Sequence, residues 1–144
     1  MQFNGASLMS TSNMALLFYC AWSICLLSAI AVLRGTLTLR GTRSANSFSV
    51  SGDDVSPFSA RLCRAHANCY ENLPAFAGII LVAALSGHTE LTDPLALWVC
   101  AARVGQSTIH IISTSNSAVA IRFGFLFLQV LIQVFWIAKL VQLA

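Results

Sequence analysis

Charge is what this sequence has least of. Asp, Glu, Lys and Arg make up 9% of its 144 residues, against about 25% in a soluble domain. Hydrophobic residues make up 57%, and mean hydropathy is +0.76. That balance excludes a soluble globular protein. The net charge of +3 is small, and the arginines stand singly or in pairs, so no phosphate-tracking patch exists and nucleic-acid binding is excluded. Strict apolar and polar alternation is also lacking, which argues against a membrane β-barrel. Cys20, Cys25, Cys63, Cys69 and Cys100 lie in or beside apolar runs, with neither the C-x-x-C pairs of a zinc site nor a disulfide framework. They read as lipid-facing or core thiols, with no metal site. Lys and Arg are missing from Met1 to Asn13, so the basic start of a leader is lacking and the first apolar run is expected to be a retained helix.

What the chain does contain is continuous apolar sequence, enough at roughly 20 residues per span for about four transmembrane helices. The expected fold is all-α: one domain over 1–144, an integral membrane four-helix bundle with helices near 14–39, 57–86, 94–115 and 118–143. Ser56 followed by Pro57 signals a helix start. Pro74 falls inside that second helix, where it frees the Tyr70 carbonyl and predicts a kink. Thr92 or Asp93 is expected to cap the third helix ahead of Pro94. The polar segment between the first two helices shows no period and is the longest irregular stretch. Trp136 and Lys139 read as interfacial anchors of the fourth helix, and Gln129 and Gln133 as inter-helix hydrogen-bonding groups.

The informative residues form stripes. Arg61, Arg64, Asn68 and Glu71 are spaced i, i+3, i+7, i+10, which gathers them on one face of helix 2. Arg103, Gln106, His110 and Ser113 repeat that spacing on helix 3. Ala60, Ala67, Ala75 and Gly78 fall near the helix 2 stripe and would admit a close neighbour. Charges inside an apolar helix are costly and mark a bundle interior or a site. Glu71 and Arg103 both lie roughly 20 Å from the same end at 1.5 Å per residue, so an ion pair between them is expected, within one subunit or between two. Asn68 should then match Gln106, and Arg64 match His110. Arg122 completes a basin rich in donors, suited to a small polar anion.

Arg34, Arg40, Arg43 and Arg61 flank the first loop, whereas the second turn carries Glu90 and Asp93 with no cation. By the positive-inside rule the first loop, the third turn and the basin face the cytoplasm, and both termini face outward.

The string Arg64-Ala-His-Ala-Asn68-Cys-Tyr-Glu71-Asn-Leu-Pro74 resembles the helix 2 signature of the MAPEG family, membrane-associated proteins in eicosanoid and glutathione metabolism. The likeness extends to Arg103, Gln106 and His110 in helix 3 and to Arg122 in helix 4. It implies a homotrimer in the bacterial inner membrane or endoplasmic reticulum, with glutathione as cofactor in a cytoplasm-facing pocket between subunits. It also implies that Arg64, Asn68 and Glu71 hold glutathione, that Arg40, or else Arg43 or Arg34, reaches it from the adjoining subunit, and that Arg122 stabilises the thiolate as the catalytic residue. Gln106 and His110 complete the implied binding set.

Departures from the family pattern narrow the activity. Gln106 and His110 stand where the leukotriene and prostaglandin synthases have Tyr or His and then Tyr. Phe123 follows Arg122 where the prostaglandin E synthase has serine. The resemblance therefore implies a glutathione transferase or peroxidase acting on small apolar electrophiles or lipid hydroperoxides. The alternative is a non-catalytic binding or scaffold protein of the same fold, and a small transporter is a third class. His66 projects away from the stripe and reads as an interfacial contact; His88 reads as solvated.

Overall fold

The computed structural model describes residues 10–143; residues 1–9 and 144, and with them most of the amino-terminal segment considered above, lie outside the described part. The elements are α1 (Thr11–Leu39), α2 (Pro57–Ser86), a single 3₁₀ turn (Thr89–Leu91), α3 (Asp93–Ile112) and α4 (Asn116–Gln142). No strand occurs among the described residues, and all four helices are long and apolar enough to cross a membrane. The expected all-helical architecture of four spans is thus present. α2 and α3 each pack on the other three helices, while α1 and α4 share little contact. The outward surface is apolar, with Leu17, Phe18, Ile24, Val32, Leu81, Phe127 and Phe135 all exposed, as suits a surface solvated by lipid.

Side-chain caps set the helix starts. Ser10 Oγ accepts the Asn13 N–H at 3.2 Å, so α1 begins at Thr11, ahead of the expected Met14. Ser56 Oγ accepts the Ser59 N–H at 3.1 Å with Pro57 in the first turn, as the sequence predicts. Ser115 Oγ caps α4 through the Ala118 N–H at 3.3 Å. α2 continues through Pro74 to Ser86. Gly87, at φ 79°, ends it in a left-handed turn, with the His88 N–H donating to the Ala83 carbonyl at 2.8 Å.

The start of α3 departs from expectation. Thr92 occupies the cap position but makes no side-chain cap bond; its hydroxyl donates to the Thr89 carbonyl at 3.2 Å and lies 2.7 Å from Ser12 Oγ. Asp93 Oδ1 turns to α1, accepting the Ser12 N–H at 2.7 Å and the Ser12 hydroxyl at 2.6 Å. The first-turn amides of a helix lack intrahelical partners, and a carboxylate there also meets the positive end of the helix dipole. Asp93 therefore fastens the start of α1 to the start of α3.

The core runs across the bundle as a chain of rings. Tyr19 of α1 stacks on Phe76 of α2 with centroids 5.2 Å apart, and Phe76 meets Trp136 of α4 at 6.3 Å. Trp136 is completely buried, which corrects its reading as an interfacial anchor. Gln129, Ile132, Gln133 and Trp136 recur at i, i+3, i+4, i+7, the inward face of α4. Lys139 is exposed. Cys63, Cys69 and Cys100 are buried thiols and Cys25 is exposed, all of them free, as expected.

The first loop is folded rather than loose. Arg34 and Arg43 both lie over the Phe48 ring, at 5.5 and 5.6 Å. Arg34 Nη2 donates to the Ser49 carbonyl at 2.6 Å, and Arg43 pairs with Asp54 at 2.6 Å. Ser49 Oγ donates to Asp54 and accepts the Gly52 N–H. Gly52 is buried at φ 71°, and a Cβ there would lie 2.7 Å from Ser59 Oγ and 2.8 Å from Cys63 Sγ. Only glycine fits a left-handed turn pressed so closely on α2.

Two predictions follow from these fastenings. Asp93→Ala removes a charged acceptor from two donors, and hydrogen bonds to charged groups contribute about 1.5–3 kcal/mol; thermal unfolding in detergent should show a loss of about 2 kcal/mol, with Asp93→Asn in between. The second concerns pH. The Ser49 hydroxyl first, then the Ser49 amide and Arg43, hold the Asp54 carboxyl down to about 2 from an ordinary 3.8. A depressed carboxylate contributes stability above its unfolded value and loses it as pH falls through the folded one. Hydrogen exchange of residues 43–54, corrected for intrinsic rate, should therefore accelerate between about pH 4 and pH 2, and this rise should be missing in Asp54→Asn.

Candidate functional site

The polar stripes of α2 and α3 meet toward the end of the bundle that carries the first loop. Arg61 Nε donates to the Ile111 carbonyl at 2.7 Å, closing the last turn of α3 onto the first turns of α2. Deeper in, Asn68 Nδ2 lies 3.4 Å from His110 Nδ1, and Cys69 Sγ lies 3.4 Å from Ser107 Oγ. Asn68 thus meets His110 rather than the expected Gln106. The reason is that Gln106 turns to α4, where its Oε1 accepts from Gln129 Nε2 at 3.0 Å. Gln129 and Gln133 do bond between helices, as the sequence predicts. Asn72, which the sequence reading passed over, links them, with Asn72 Nδ2 and Gln129 Oε1 3.5 Å apart and Gln133 Nε2 and Asn72 Oδ1 also 3.5 Å apart.

Between these helices lies a cavity of about 190 Å³ lined by Asn68, Glu71, Asn72, Arg103, Gln106 and Leu126. Four of the residues singled out in the sequence therefore share one space. Arg103 is 1% exposed, and its Nε and Nη2 are buried with no hydrogen-bond partner. Its guanidinium carbon stands 5.7 Å over the Tyr19 ring, whose hydroxyl donates to the Cys69 carbonyl at 3.3 Å. The ring face steadies the cation but supplies no acceptor to the two bare nitrogens. Both nitrogens are sealed from solvent, and leaving such atoms unmatched costs about 1–3 kcal/mol each.

The expected Glu71–Arg103 ion pair is not formed within the chain. The ion pairs among the described residues are Arg43–Asp54 and His88–Glu90. Glu71 is exposed whereas Arg103 is held inward against Tyr19, so the two line one cavity without touching.

The remaining positions sort clearly. Arg64 is exposed and makes no hydrogen bond among the described residues; Arg122 is half-buried, with its Nε donating to the Ala118 carbonyl at 3.3 Å and its two outer nitrogens left over. Arg122, Arg64 and Arg61 all act electrostatically on His110, which places the three cations around one imidazole. Arg40 is exposed at the end of α1, away from the cavity of its own chain. Arg34 and Arg43 are engaged by the first loop, so Arg40 is the helix 1 arginine whose guanidinium has no partner among the described residues. His66 lies beside Tyr70 with ring centroids 5.4 Å apart, and His88 makes an exposed contact with Glu90 at 3.0 Å.

Asn72, Leu126 and Tyr19 were missed. Asn72 carried a usable signal, since it stands one residue from Glu71 and four from Asn68 and so borders their stripe. Leu126 and Tyr19 carried none, because an apolar lining residue in a transmembrane helix looks like any other.

No curated protein and no solved structure matches the chain. The family model described as the MAPEG family matches residues 14–142, nearly the whole sequence. With four apolar helices and a match of that extent, the chain is an integral, multi-pass membrane protein that belongs to the MAPEG family.

Proposed function

We propose that the protein is a glutathione-dependent membrane transferase or peroxidase, acting on apolar electrophiles or lipid hydroperoxides that arrive through the bilayer. The observation that carries this reading is the donor-rich polar set around the cavity: Arg103, the amides of Asn68, Asn72 and Gln106, and Glu71 as the single carboxylate. Glutathione carries two carboxylates, two peptide units and one ammonium, and that donor set fits it. Glu71 takes the ammonium, and Arg64 with Arg40 of an adjoining subunit takes carboxylate. Asn68, Gln106 and His110 hold the polar backbone of the ligand between them.

The cavity of one chain is about 190 Å³, below the roughly 300–1,000 Å³ of small-molecule sites. Arg64 and Glu71 are exposed on a membrane-spanning helix, as are Ala75 and Gly78 beside them. Charges in that position require cover, and small residues permit close approach. Both features support a homotrimer in which a neighbouring copy closes the site. The excess of arginine at the first loop supports a cytoplasm-facing site with outward termini, in a bacterial inner membrane or the endoplasmic reticulum.

Bound glutathione supplies the nucleophilic sulfur; the chain's residues supply place and potential. Arg122 keeps two guanidinium nitrogens unspent near His110 and Arg64. A thiol with an unperturbed pKa near 8.5 is mostly protonated at pH 7, and a guanidinium beside it favours the thiolate by about 1.4 kcal/mol for each unit of lowering. Arg122 is thereby the catalytic residue, and the apolar walls exclude water from the electrophile.

Calorimetry with detergent-solubilised protein, with thiolate absorbance followed on the same samples, tests the assignment. Arg64→Ala and Glu71→Ala should each weaken glutathione binding by about tenfold or more, the loss of about 1.4 kcal/mol that one charged hydrogen bond supplies. Arg122→Ala should leave binding within about threefold while lowering turnover and the thiolate signal by at least tenfold. Equal losses of binding and turnover in all three variants would point to a folding role. A folded wild type that binds no glutathione would favour the non-catalytic scaffold.

A further inference from the structure

The amide of Gln129 is completely buried, and one of its partners fixes its orientation. Amide nitrogen and oxygen are told apart by what they touch, and a backbone carbonyl only accepts. Gln129 lies 2.8 Å from the Phe125 carbonyl, so that end is Nε2. Its second N–H then points to Gln106 at 3.0 Å, and the atom it meets there is an acceptor, Oε1. The orientation of Gln106 follows: its oxygen is occupied on the α4 side and its Nε2 is turned away. That nitrogen has no partner among the described residues and is not sealed from solvent, and Gln106 lines the cavity. Upstream, Gln133 Nε2 stands 3.5 Å from Asn72 Oδ1, and Asn72 Nδ2 stands 3.5 Å from Gln129 Oε1. The four amides run in one direction, from Gln133 through Asn72 and Gln129 to Gln106.

We propose that Gln129 is a positioning residue: through its bond to Gln106 it holds that amide with the N–H groups facing the cavity, so the ligand atom bound there is a hydrogen-bond acceptor, a carboxylate or peptide carbonyl oxygen. Gln129 touches no ligand itself. Without it, Gln106 rotates between two faces of nearly equal size, presenting a donor or an acceptor. The amide order stands on the structure alone; only its effect on affinity rests on the glutathione reading.

The test has two parts on the full-length protein in detergent. In the first, side-chain amide signals are recorded with ¹⁵N-glutamine labelling, with Gln106 and Gln129 identified by their disappearance in Gln106→Met and Gln129→Met. Expected is rapid hydrogen exchange for the Gln106 amide and strong protection for that of Gln129. The reverse order overturns the proposal, whether or not any ligand binds. In the second, glutathione affinity is measured for wild type, both single variants and the double variant. Gln129→Met should weaken binding about tenfold where Gln106 is present, and less than twofold in the Gln106→Met background, since residues acting through one another couple. Equal weakening in both backgrounds marks a structural role for Gln129 and overturns the proposal. Should wild type bind no glutathione, the proposed function fails while the exchange measurement still decides the amide order. Should Gln129→Met not fold, the wild-type exchange pattern with Gln106→Met as reference decides it.

Discussion

Placing the guanidinium of Arg103 inside an apolar bundle is the constraint to which the other polar residues answer. The side chain is 1% exposed and makes no ion pair within the chain, and a buried charge without compensation costs several kcal/mol. Part of the compensation is the Tyr19 ring, which presents its electron-rich face to the cation. Tyr19 can stand there because α1 brings it onto Phe76 and because its hydroxyl finds the Cys69 carbonyl. The rest is the polar cavity that the side chain lines, although Nε and Nη2 themselves are sealed from solvent. Asn68, Asn72, Gln106 and Glu71 line the same space. Polar groups that would each be costly alone are thus gathered where they share one hollow.

That arrangement needs rigid ends, and the chain provides one at each face of the bundle. At one end Asp93, Thr92 and Ser12 tie the starts of α1 and α3 together through short bonds across some eighty residues of sequence. At the other, the first loop is closed by Arg34, Arg43, Phe48 and Asp54, with Gly52 pressed against α2. Hydrophobic burial adds little between helices in lipid, since the solvent is as apolar as the core. Directional bonds at the ends and amide bonds in the middle therefore specify the register of α2, α3 and α4, and the ring chain from Tyr19 to Trp136 fills the space between.

Much of this was legible in the sequence, for identifiable reasons. Hydropathy and length give four spans, because only helices satisfy their own backbone in lipid. Spacings of i, i+3, i+7, i+10 give the two stripes, because helical period is fixed. Gln129 and Gln133 were readable as bonding groups because an amide in lipid needs a partner. Pairings across helices were not readable. Depth placed Glu71 level with Arg103 and Asn68 level with Gln106, but depth carries no rotation, and Gln106 proved to face Gln129. Asp93 looked like the cap of its own helix because local rules see only neighbours in sequence. Trp136 looked interfacial because its position near the helix end resembles an anchor, and only the facing Phe76 shows that it is core.

The polarity of the cavity follows from the direction of its bonds more than from its composition. Counted as residues, Asn68, Asn72 and Gln106 are neutral and two-sided, offering donor and acceptor alike. Once Gln129 occupies the Gln106 oxygen, and Gln133 and Gln129 engage both ends of Asn72, most of the acceptors are spent within the protein. What remains unspent at the hollow is the Gln106 amide nitrogen, the Asn68 oxygen and the carboxylate of Glu71, beside the Arg103 cation. On the proposed reading, glutathione meets the Gln106 amide at a carboxylate or carbonyl oxygen and the Glu71 carboxylate at its ammonium. Its orientation is then set by bonds it does not itself make: those of α4, which fix the amides before any ligand arrives.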